Sequence, residues 1–393
     1  MKDGIIPSER IAAVALDRKE LARYSRHLLM PEVTLEGQRR LKAARVLCIG
    51  AGGLGSSAAF YLTAAGLGVL GLVDEDRVEL SNLQRQILHG TSDIGRAKLA
   101  SAKDRLQHLN SHVEIELHAC RFSSSNAPQI IANYDVVIDG SDNFATRYLS
   151  NDVCVFGRKP NVYGSVFRFE GQTTVFAPHL GGSCYRCLFP TPPAPGTVPG
   201  CSEAGVLGVV PGIIGMMQAL EAIKLILGLG NSLVGRLVHF DAEKFKFREF
   251  NLRRDPECPV CGEHPTISAP IDYELFCGQR GVVEEEVTPV RPISPEQVTA
   301  RLGDPGSLAL LDVREPYEHA LGSIEEAQLI PLGDVEARMR EIPRDRDVVV
   351  YCRVGTRSAH AIDLLQQAGF TNLYNLAGGI EAWSDYVDRL SAK

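Results

Sequence analysis

The chain has ten cysteines, and four of them form two Cys-x-x-Cys pairs, Cys184/Cys187 and Cys258/Cys261. Each pair can bind one metal ion through two thiolates, and two pairs complete the tetrahedral coordination that Zn²⁺ prefers. Because four thiolates leave no open position for water, the spacing predicts a structural zinc site. A redox role for one of the pairs is the alternative at this stage.

A further cysteine, Cys352, follows the apolar segment 348–351 and opens a loop that ends at Ser358, where a helix begins. Backbone N–H groups and the helix dipole lower the pKa of a thiol in such a loop and hold an anion bound to its sulfur. Arg353 and Arg357 add positive charge. The pattern predicts a reactive thiolate or persulfide, whereas an inert buried cysteine at a strand end is the competing interpretation.

A glycine-rich turn, Gly50–Gly55 (GAGGLG), follows one predicted strand and begins a helix. Its glycines let the backbone approach a phosphate chain, and the helix N-terminus supplies N–H donors and a partial positive charge. Asp74 ends the next strand, where an acidic residue can bind ribose hydroxyls. Taken alone, these features are typical of an NAD-dependent dehydrogenase.

Charged residues near this turn favour ATP instead. The segment Ser81–Arg85 and Lys98 follow the second strand, and Asp139–Asn143 stands at the carboxyl end of the fourth, where such sheets bind ligands. Nucleotidyl transfer to a carboxylate brings two anions together, so cations must offset their repulsion and Mg²⁺ needs a carboxylate ligand. We expect Arg85 and Lys98 to contact the phosphates and Asp142 to bind Mg²⁺.

The elements that position these residues alternate between strand and helix. Such alternation predicts a Rossmann-like, mainly parallel α/β sheet with helices on both faces. Strands follow one another after residue 162, so the sheet is expected to become mixed. A smaller α/β unit follows, with strands at 308–312, 348–351 and 372–376 and a helix at 358–368. The predicted domains are 15–262 and 289–393, joined by a linker at 263–288.

The composition excludes several classes of protein. A net charge of −7 gives no basic face for a nucleic acid. The N-terminal segment 1–14 lacks the apolar core of a signal peptide. The apolar stretch 204–220 is interrupted by Pro211 and glycines, so we interpret 211–227 as a buried helix and not a membrane span. We therefore expect a cytoplasmic protein with reduced cysteines.

Residues from about 23 to 261 resemble the MoeB/ThiF family of adenylyltransferases, bacterial relatives of ubiquitin-activating enzymes. The motifs that carry the resemblance are Arg23-Tyr24-Ser25-Arg26-His27, the glycine turn, Ser81–Arg85, Gly140–Asn143 and the two Cys-x-x-Cys pairs. The resemblance implies that ATP adenylates the C-terminal Gly-Gly carboxylate of a ubiquitin-like sulfur-carrier protein and releases pyrophosphate.

The resemblance also implies roles for individual residues. The nucleotide and Mg²⁺ ligands carried over from the family are Gly53, Asp74, Ser81, Asn82, Arg85, Lys98, Asp142 and Asn143. Arg26 would reach the phosphates in the other subunit of a homodimer, and Arg147 would orient the carrier tail. Cys201 lies after a proline-rich loop and would form a thioester with the carrier or resolve an acyl disulfide; from the sequence alone it is a loop cysteine.

Residues from about 290 to 385 resemble a single rhodanese domain, which carries sulfur as a cysteine persulfide. The matching segments are Leu311–Glu318, the Cys352 loop and Leu376–Trp383. One departure is Gly322-Ser323-Ile324, where the family has Gly-His-Ile. Phosphatases of related fold place arginine six positions after cysteine, whereas Arg357 is at the fifth, so the shorter, sulfur-sized loop is favoured.

The favoured hypothesis is therefore an adenylyltransferase fused to a sulfurtransferase, in molybdenum-cofactor synthesis or a related thiolation route. Its expected ligands are ATP, Mg²⁺ and Zn²⁺, its sulfur donor is thiosulfate or a cysteine desulfurase, and it acts as a homodimer without nucleic acid or membrane. Two alternatives remain open from the sequence: an NAD-dependent oxidoreductase with a regulatory tail, and a carrier-docking scaffold whose rhodanese-like tail is inert.

Overall fold

The computed structural model describes residues 5–193, 205–278, 290–302 and 306–391. The chain divides into two compact units, Met1–Val282 and Val283–Lys393. Each unit is built on its own β-sheet.

The first unit contains one eight-stranded sheet in the order β3-β2-β1-β4-β5-β6-β7-β8. Its strands are β1 (Arg45–Ile49), β2 (Val69–Val73), β3 (Glu114–His118), β4 (Val136–Asp139), β5 (Asn161–Phe167), β6 (Glu170–Phe176), β7 (Arg236–Asp241) and β8 (Lys246–Asn251). Neighbouring strands from β3 to β5 pair parallel, and those from β5 to β8 pair antiparallel. The predicted change from a parallel to a mixed sheet is confirmed.

Helices cover the parallel part of this sheet. The helices of the first unit are Ser8–Ala12, Arg18–Arg23, Ser25–Leu28, Thr34–Ala43, Gly53–Ala65, Lys98–Leu109, Ala127–Ala132, Phe144–Phe156, Tyr185–Leu188, Val209–Leu227 and Tyr273–Phe276, with 3₁₀ turns at Leu80–Asn82, Thr91–Asp93 and Pro178–Leu180. Alternate residues of β1 enter two different cores: Val46 and Cys48 enter one, Leu47 and Ile49 the other. The strand is apolar at four consecutive positions because both of its faces are buried.

Strand register brings the predicted nucleotide-binding residues to one edge of the sheet. Ile49 at the end of β1 lies opposite Val73 in β2 and Asp139 in β4. The glycine turn, Asp74 and the segment 140–143 follow those three residues directly. Their convergence is therefore a consequence of parallel pairing at the carboxyl ends of adjacent strands.

The helix Val209–Leu227 packs closely against the helix Gly53–Ala65. A Cβ atom at Gly215 would lie 2.2 Å from the Leu54 carbonyl oxygen and 2.2 Å from Ser57 Oγ. Within the described ranges, Val209–Leu227 is long and apolar enough to span a membrane, and 56% of its most apolar window is buried inside the unit. That burial fits the core helix predicted at 211–227.

The chain continues past the second Cys-x-x-Cys pair along the surface of the first unit. The Tyr273 hydroxyl donates to Asp152 Oδ2 over 2.9 Å, and Ser124 Oγ donates to the Ile271 carbonyl over 2.6 Å. Asp152 also forms a fully buried ion pair with Arg186 at 2.9 Å. Residues 263–278, placed in the linker by the sequence, thus pack on the first unit, and 279–289 lie outside the described residues.

The second unit contains a five-stranded parallel sheet in the order β11-β10-β12-β13-β9. Its strands are β9 (Arg291–Ile293), β10 (Leu308–Asp312), β11 (Gln328–Leu329), β12 (Asp347–Tyr351) and β13 (Leu373–Leu376). Its helices are Pro295–Leu302, Pro316–Leu321, Val335–Arg338, Thr356–Gln367 and Gly379–Ser391, with 3₁₀ turns at Leu332–Asp334 and Met339–Glu341. The predicted second α/β unit is confirmed, with two short strands, β9 and β11, that the sequence analysis did not identify.

The contact between the two core helices of the first unit can be tested with a matched pair of alanine substitutions. Gly215→Ala should destabilise the unit by about 1–3 kcal/mol, because backbone and side-chain atoms occupy the space of the new methyl group. Gly212→Ala lies in the same helix with no atom within 4 Å of its Cβ position, and should be neutral or stabilising by up to about 1 kcal/mol. Melting temperatures compare the two variants, and equal values would contradict the close packing.

Candidate functional site

A cavity of about 340 Å³ opens at the carboxyl edge of the first sheet. Six of the residues predicted to bind nucleotide or Mg²⁺ line it: Gly53, Asp74, Arg85, Lys98, Asp142 and Asn143. Ser81, Asn82 and Arg26 are not among its lining residues. Strand ends and helix starts therefore contribute most of the predicted set to a single cavity.

The glycine turn is fixed by a backbone contact and by Asp74. A Cβ atom at Gly55 would lie 1.9 Å from the Gly50 carbonyl oxygen, so only glycine fits there. Asp74 Oδ2 accepts a hydrogen bond from the Ala51 N–H over 2.8 Å, and Oδ1 accepts one from the Asp76 N–H over 2.8 Å. The Asp74 carboxylate thus braces the turn in addition to lining the cavity.

Four cationic side chains line the cavity: Arg85, Lys98, Arg121 and Arg147. Lys98 is buried, and its Nζ donates to Asp76 Oδ2 over 2.8 Å. Arg85 Nη1 donates to the Ser81 carbonyl oxygen over 3.0 Å. Arg147 also lines the cavity and is buried against the rings of Phe144 and Tyr163, which is a cation–π arrangement. Four cationic side chains thus line the cavity together with four carboxylates.

The segment that carries Asp142 is anchored from both sides. Burial raises the pKa of Asp139, and hydrogen bonds from Ser141 oppose that shift; Ser141 Oγ donates to Asp139 Oδ1 over 2.6 Å. Asn143 caps the helix Phe144–Phe156, since its Oδ1 accepts from the Thr146 N–H over 2.9 Å. Asp142 lies between these anchors, exposed at the cavity wall.

Some lining residues were not identified from the sequence. Gln86, Arg121 and Phe122 also line the cavity. Gln86 directly follows the Ser81–Arg85 motif. Arg121 and Phe122 follow β3, and the rule that loops after parallel strands carry ligand-binding residues would have pointed to them. The sequence analysis applied that rule to β1, β2 and β4 and did not extend it to β3.

The four predicted zinc ligands converge, although the two pairs lie far apart in the chain. All four sulfurs lie within 4.8 Å of one another. The sulfur–sulfur distances are 3.8 Å for Cys184–Cys187, 3.5 Å for Cys184–Cys258 and 3.4 Å for Cys187–Cys261. The Asp255 N–H points at Cys187 Sγ over 3.4 Å, which favours a thiolate there. Four sulfurs at these separations fit one tetrahedral ion such as Zn²⁺.

In the second unit, Cys352 lies in a cradle of hydrogen-bond donors. The Gly355 N–H donates to its sulfur over 3.1 Å, and Ser358 Oγ lies 3.5 Å away. Burial opposes ionisation, but hydrogen bonds from Ser358, Gly355 and Val354 outweigh it, so the pKa of Cys352 lies below its ordinary value. The thiol is therefore poised to act as a nucleophile.

Asn375 on β13 holds this cradle in shape. Its Nδ2 donates to the Gly355 carbonyl over 3.0 Å, and its Oδ1 accepts from Ser358 Oγ over 2.7 Å. Gly355 has φ +107°, a conformation that favours glycine. Because Asn375 is distant in sequence and belongs to no motif, the sequence analysis did not identify it.

Ion pairs surround the Cys352 loop. Arg357 donates two hydrogen bonds to Glu318, each 2.7 Å, and Arg353 Nε donates to Glu381 Oε1 over 2.6 Å. Arg314 pairs with the buried Asp312, and also donates to the Gly322 carbonyl over 2.8 Å. The departure from the rhodanese pattern at Ser323 thus lies beside a segment that Arg314 holds in place.

Among the described residues, Arg26, Ser81 and Asn82 do not line the cavity. Arg26 is exposed in the short helix Ser25–Leu28, away from the residues that line the cavity of its own chain. Cys201 lies outside the described residues. Asn82 is buried, and its Oδ1 accepts from the Glu79 N–H over 3.2 Å, so it shapes the 3₁₀ turn that precedes Arg85.

A nucleotide-binding α/β unit with a four-cysteine cluster, followed by a unit with a reactive cysteine loop, defines the class of this protein. Residues 24–260 match the ThiF family, and residues 294–386 match the rhodanese-like domain. The chain belongs to the ThiF family.

Curated relatives share both units. The chain is 45% identical to the probable adenylyltransferase/sulfurtransferase MoeZ of Mycobacterium tuberculosis, over 95% of each chain. It is 42% identical to the adenylyltransferase and sulfurtransferase MOCS3 of Anopheles gambiae, over 95% of this chain and 88% of that one. These proteins are similar to the chain along nearly its whole length, so the resemblances inferred from the motifs are confirmed.

Solved structures support the fold of the first unit. E. coli MccB with bound ATP aligns with a TM-score of 0.53 at 23% identity, covering 66% of this chain and 79% of that one. The complex of MccB with N-formylated MccA aligns with a TM-score of 0.56 at 23% identity, covering 66% and 79%. At this level of identity the likeness concerns the fold alone.

The cysteine cluster can be tested by metal analysis. The purified protein should contain about one zinc ion per chain, since four thiolates satisfy one tetrahedral ion. Cys258→Ser should lose the metal and lower the melting temperature, because metal binding is coupled to folding. Cys48→Ser, at a buried cysteine in β1 outside the cluster, should keep its zinc. Retention of zinc by the Cys258 variant would refute the site.

Proposed function

We propose that the first unit adenylates the C-terminal Gly-Gly carboxylate of a ubiquitin-like sulfur-carrier protein with ATP, and that the second unit supplies sulfur to the activated carrier from Cys352. The supporting observation is the pairing of a cation-lined cavity at a glycine turn with a cysteine loop of lowered pKa in one chain. Relatives named for both activities cover 95% of the chain. The product is a carrier thiocarboxylate, for molybdenum-cofactor synthesis or a related thiolation.

In the adenylation step, the N–H groups at the start of the helix Gly53–Ala65 face the phosphates. Arg85 and Lys98 offset the phosphate charge, and Lys98 exchanges its contact with Asp76 for one with ATP. Asp74 accepts hydrogen bonds from the ribose hydroxyls. The carrier carboxylate attacks the α-phosphorus, and the bond to pyrophosphate breaks.

Asp142 is the proposed ligand of Mg²⁺. It is an exposed carboxylate at the cavity wall on a segment held by Asp139 and Asn143, which are the properties that a Mg²⁺ ligand needs. When bound, the ion offsets negative charge on the reacting phosphates. Arg147, buried behind the same segment, is proposed to orient the carrier tail.

In the sulfur-transfer step, the terminal sulfur of a Cys352 persulfide attacks the acyl carbon of the adenylate and AMP leaves. The resulting acyl disulfide is cleaved when the Cys201 thiolate attacks the Cys352 sulfur, which releases the thiocarboxylate. The enzyme is left with a Cys201–Cys352 disulfide, which an external thiol must reduce. In the alternative role for Cys201, its thiolate displaces AMP to form a carrier thioester, which the persulfide then attacks.

The four-cysteine cluster has a structural role in this scheme, since a zinc ion with four thiolates has no open position.

We propose further that the enzyme is a homodimer in which Arg26 contacts the phosphates of the partner subunit. Arg26 is exposed and is not part of the cavity in its own chain. The apolar side chains of Leu29, Met30 and Leu35 are exposed nearby in the sequence. Exposed apolar patches of this kind favour a protein interface.

The adenylation site is tested by Asp142→Ala with a Gly-Gly-terminated sulfur carrier from the same organism. The variant should lose carrier-dependent ATP–pyrophosphate exchange, because the metal that neutralises the reacting phosphates has lost its ligand. Loading of sulfur onto Cys352 should continue, since it takes place in the other unit. Asp104→Ala removes an exposed carboxylate that does not line the cavity and should retain exchange. Normal exchange in the Asp142 variant would remove this residue from the mechanism.

The role of Arg26 across subunits is tested by mixing two inactive proteins. An Arg26→Ala chain keeps an intact cavity, and an Asp142→Ala chain keeps its arginine, so heterodimers of the two contain one complete site. Pyrophosphate exchange should therefore return in part once the subunits have mixed. Verified mixing without recovered exchange would mean that Arg26 acts in its own chain or has no role.

A further inference from the structure

The two arginines of the Cys352 loop are each paired with a carboxylate. Arg357 and Glu318 form a two-bond contact, and their side chains are only 15% and 14% exposed. Arg353 and Glu381 form a pair whose side chains are 48% and 52% exposed. Water screens the second pair well, so its charges matter little at the sulfur. The Arg357–Glu318 pair is shielded from water, so its state of charge matters more to a sulfur donor that approaches Cys352.

Glu318 is fixed in its position by two interactions. Besides accepting both hydrogen bonds from Arg357, its Oε2 accepts one from the Glu315 N–H over 3.0 Å, at the start of the helix Pro316–Leu321. Burial tends to raise the pKa of Glu318, but Arg357 and the Glu315 N–H outweigh burial and lower it. The carboxylate is therefore ionised at neutral pH, and it neutralises Arg357.

The other arginine near the loop is neutralised in the same way. Arg314 is buried, and it forms hydrogen bonds of 2.9 and 2.7 Å with the buried carboxylate of Asp312. The hydrogen bonds to the Cys352 sulfur come from Gly355 and Ser358. These donors suit one negative sulfur atom. In the part of the chain that the structure describes, Arg314, Arg353 and Arg357 are each paired with a carboxylate, so none of the three is an unpaired cation for the sulfonate group of thiosulfate.

We propose that Glu318 is a specificity-determining residue that selects a thiol persulfide, R–S–SH, over thiosulfate as the donor to Cys352. This inference rests on the proposed sulfur-carrying role of Cys352. By holding Arg357 in an ion pair, Glu318 denies the guanidinium to the sulfonate group, whereas a persulfide needs no such cation.

The transfer is balanced without an added oxidant or reductant. The Cys352 thiolate attacks the outer sulfur of R–S–SH, a new sulfur–sulfur bond forms, and the bond between the two donor sulfurs breaks. The electron pair of that bond leaves on R–S⁻, which takes up a proton as the free thiol. With thiosulfate the same attack would release sulfite, and the guanidinium of Arg357, already paired with Glu318, would not be available to stabilise its two negative charges.

The test compares two donors in the full-length protein. Thiosulfate is the anionic donor, and 2-mercaptoethanol persulfide, generated in situ, has no charge apart from its sulfur. Loading of one sulfur atom onto Cys352 is followed by mass spectrometry, and kcat/KM is measured for each donor. Glu318→Gln keeps an acceptor for the Glu315 N–H but frees Arg357. It should raise kcat/KM for thiosulfate roughly tenfold or more relative to the persulfide, as expected for one charged hydrogen bond.

Three further variants separate an effect on donor specificity from an effect on stability. In the double variant Glu318→Gln/Arg357→Gln the gain for thiosulfate should disappear, because the freed guanidinium is its source. Glu341→Gln breaks an exposed ion pair with Arg338 elsewhere in the unit and should leave the donor ratio unchanged. Glu318→Ala frees Arg357 by another route and should shift the ratio in the same direction if the glutamine variant folds poorly.

The outcomes separate this inference from the proposed function. If both donors load the native protein and Glu318→Gln changes them equally, Glu318 does not select the donor and the inference fails. If neither donor loads Cys352 in the native protein, the proposed function itself fails. A cysteine desulfurase charged with cysteine provides a protein-bound persulfide in a parallel assay. A rate above that of the small persulfide identifies a protein-bound donor, and a rate below it identifies a small-molecule donor, within the proposed class.

Discussion

Backbone N–H groups in the first turn of a helix are the feature on which both proposed sites depend. In the first unit these groups belong to the helix Gly53–Ala65, which follows β1. In the second unit they belong to the helix Thr356–Gln367, which follows β12. Such donors are fixed by the fold, so they need no rearrangement to stabilise charge. The close contact of Gly55 with the Gly50 carbonyl, and the left-handed Gly355, are the local conditions that allow each chain segment to turn this way.

The two sites differ in how far the charges of their arginine and lysine side chains are neutralised by carboxylates. The first cavity leaves Arg85 hydrogen-bonded to a carbonyl and Lys98 on a single exposed carboxylate, so both can be recruited by a polyphosphate. The second site neutralises Arg357 with the shielded carboxylate of Glu318. A triphosphate needs several cations, whereas a single sulfur needs only hydrogen bonds. The charge pattern of each site therefore fits the ligand that we propose for it.

Patterns local in sequence predicted most of the architecture. The alternation of strands and helices predicted the parallel part of the first sheet, and the consecutive strands after residue 162 predicted its mixed part. The two Cys-x-x-Cys pairs predicted the cluster of sulfurs, since a shared metal ion is the simplest way to satisfy two thiolate pairs. The loop after Cys352 predicted the thiol cradle, because a strand followed by a helix fixes where the N–H groups lie.

Contacts between distant segments were beyond the reach of those patterns. The hydrogen bonds of Asn375 to the Cys352 loop depend on the register of β13 beside β12, which no short motif encodes. The packing of residues 263–278 on the first unit depends on the buried Arg186–Asp152 pair and on Tyr273. No motif in the sequence relates these three residues to one another. Arg121 and Phe122 are a different case, because the rule for loops after parallel strands points to them once β3 is recognised.

The central claim is that the sulfur in the carrier thiocarboxylate comes from the second unit of the same chain. Cys352→Ala removes the only group proposed to carry that sulfur and leaves the adenylation cavity untouched. With ATP, Mg²⁺, carrier and a sulfur donor, intact-mass spectrometry should show the carrier acyl adenylate and no thiocarboxylate. Thiocarboxylate formed by the Cys352 variant at the rate of the native protein would contradict the account.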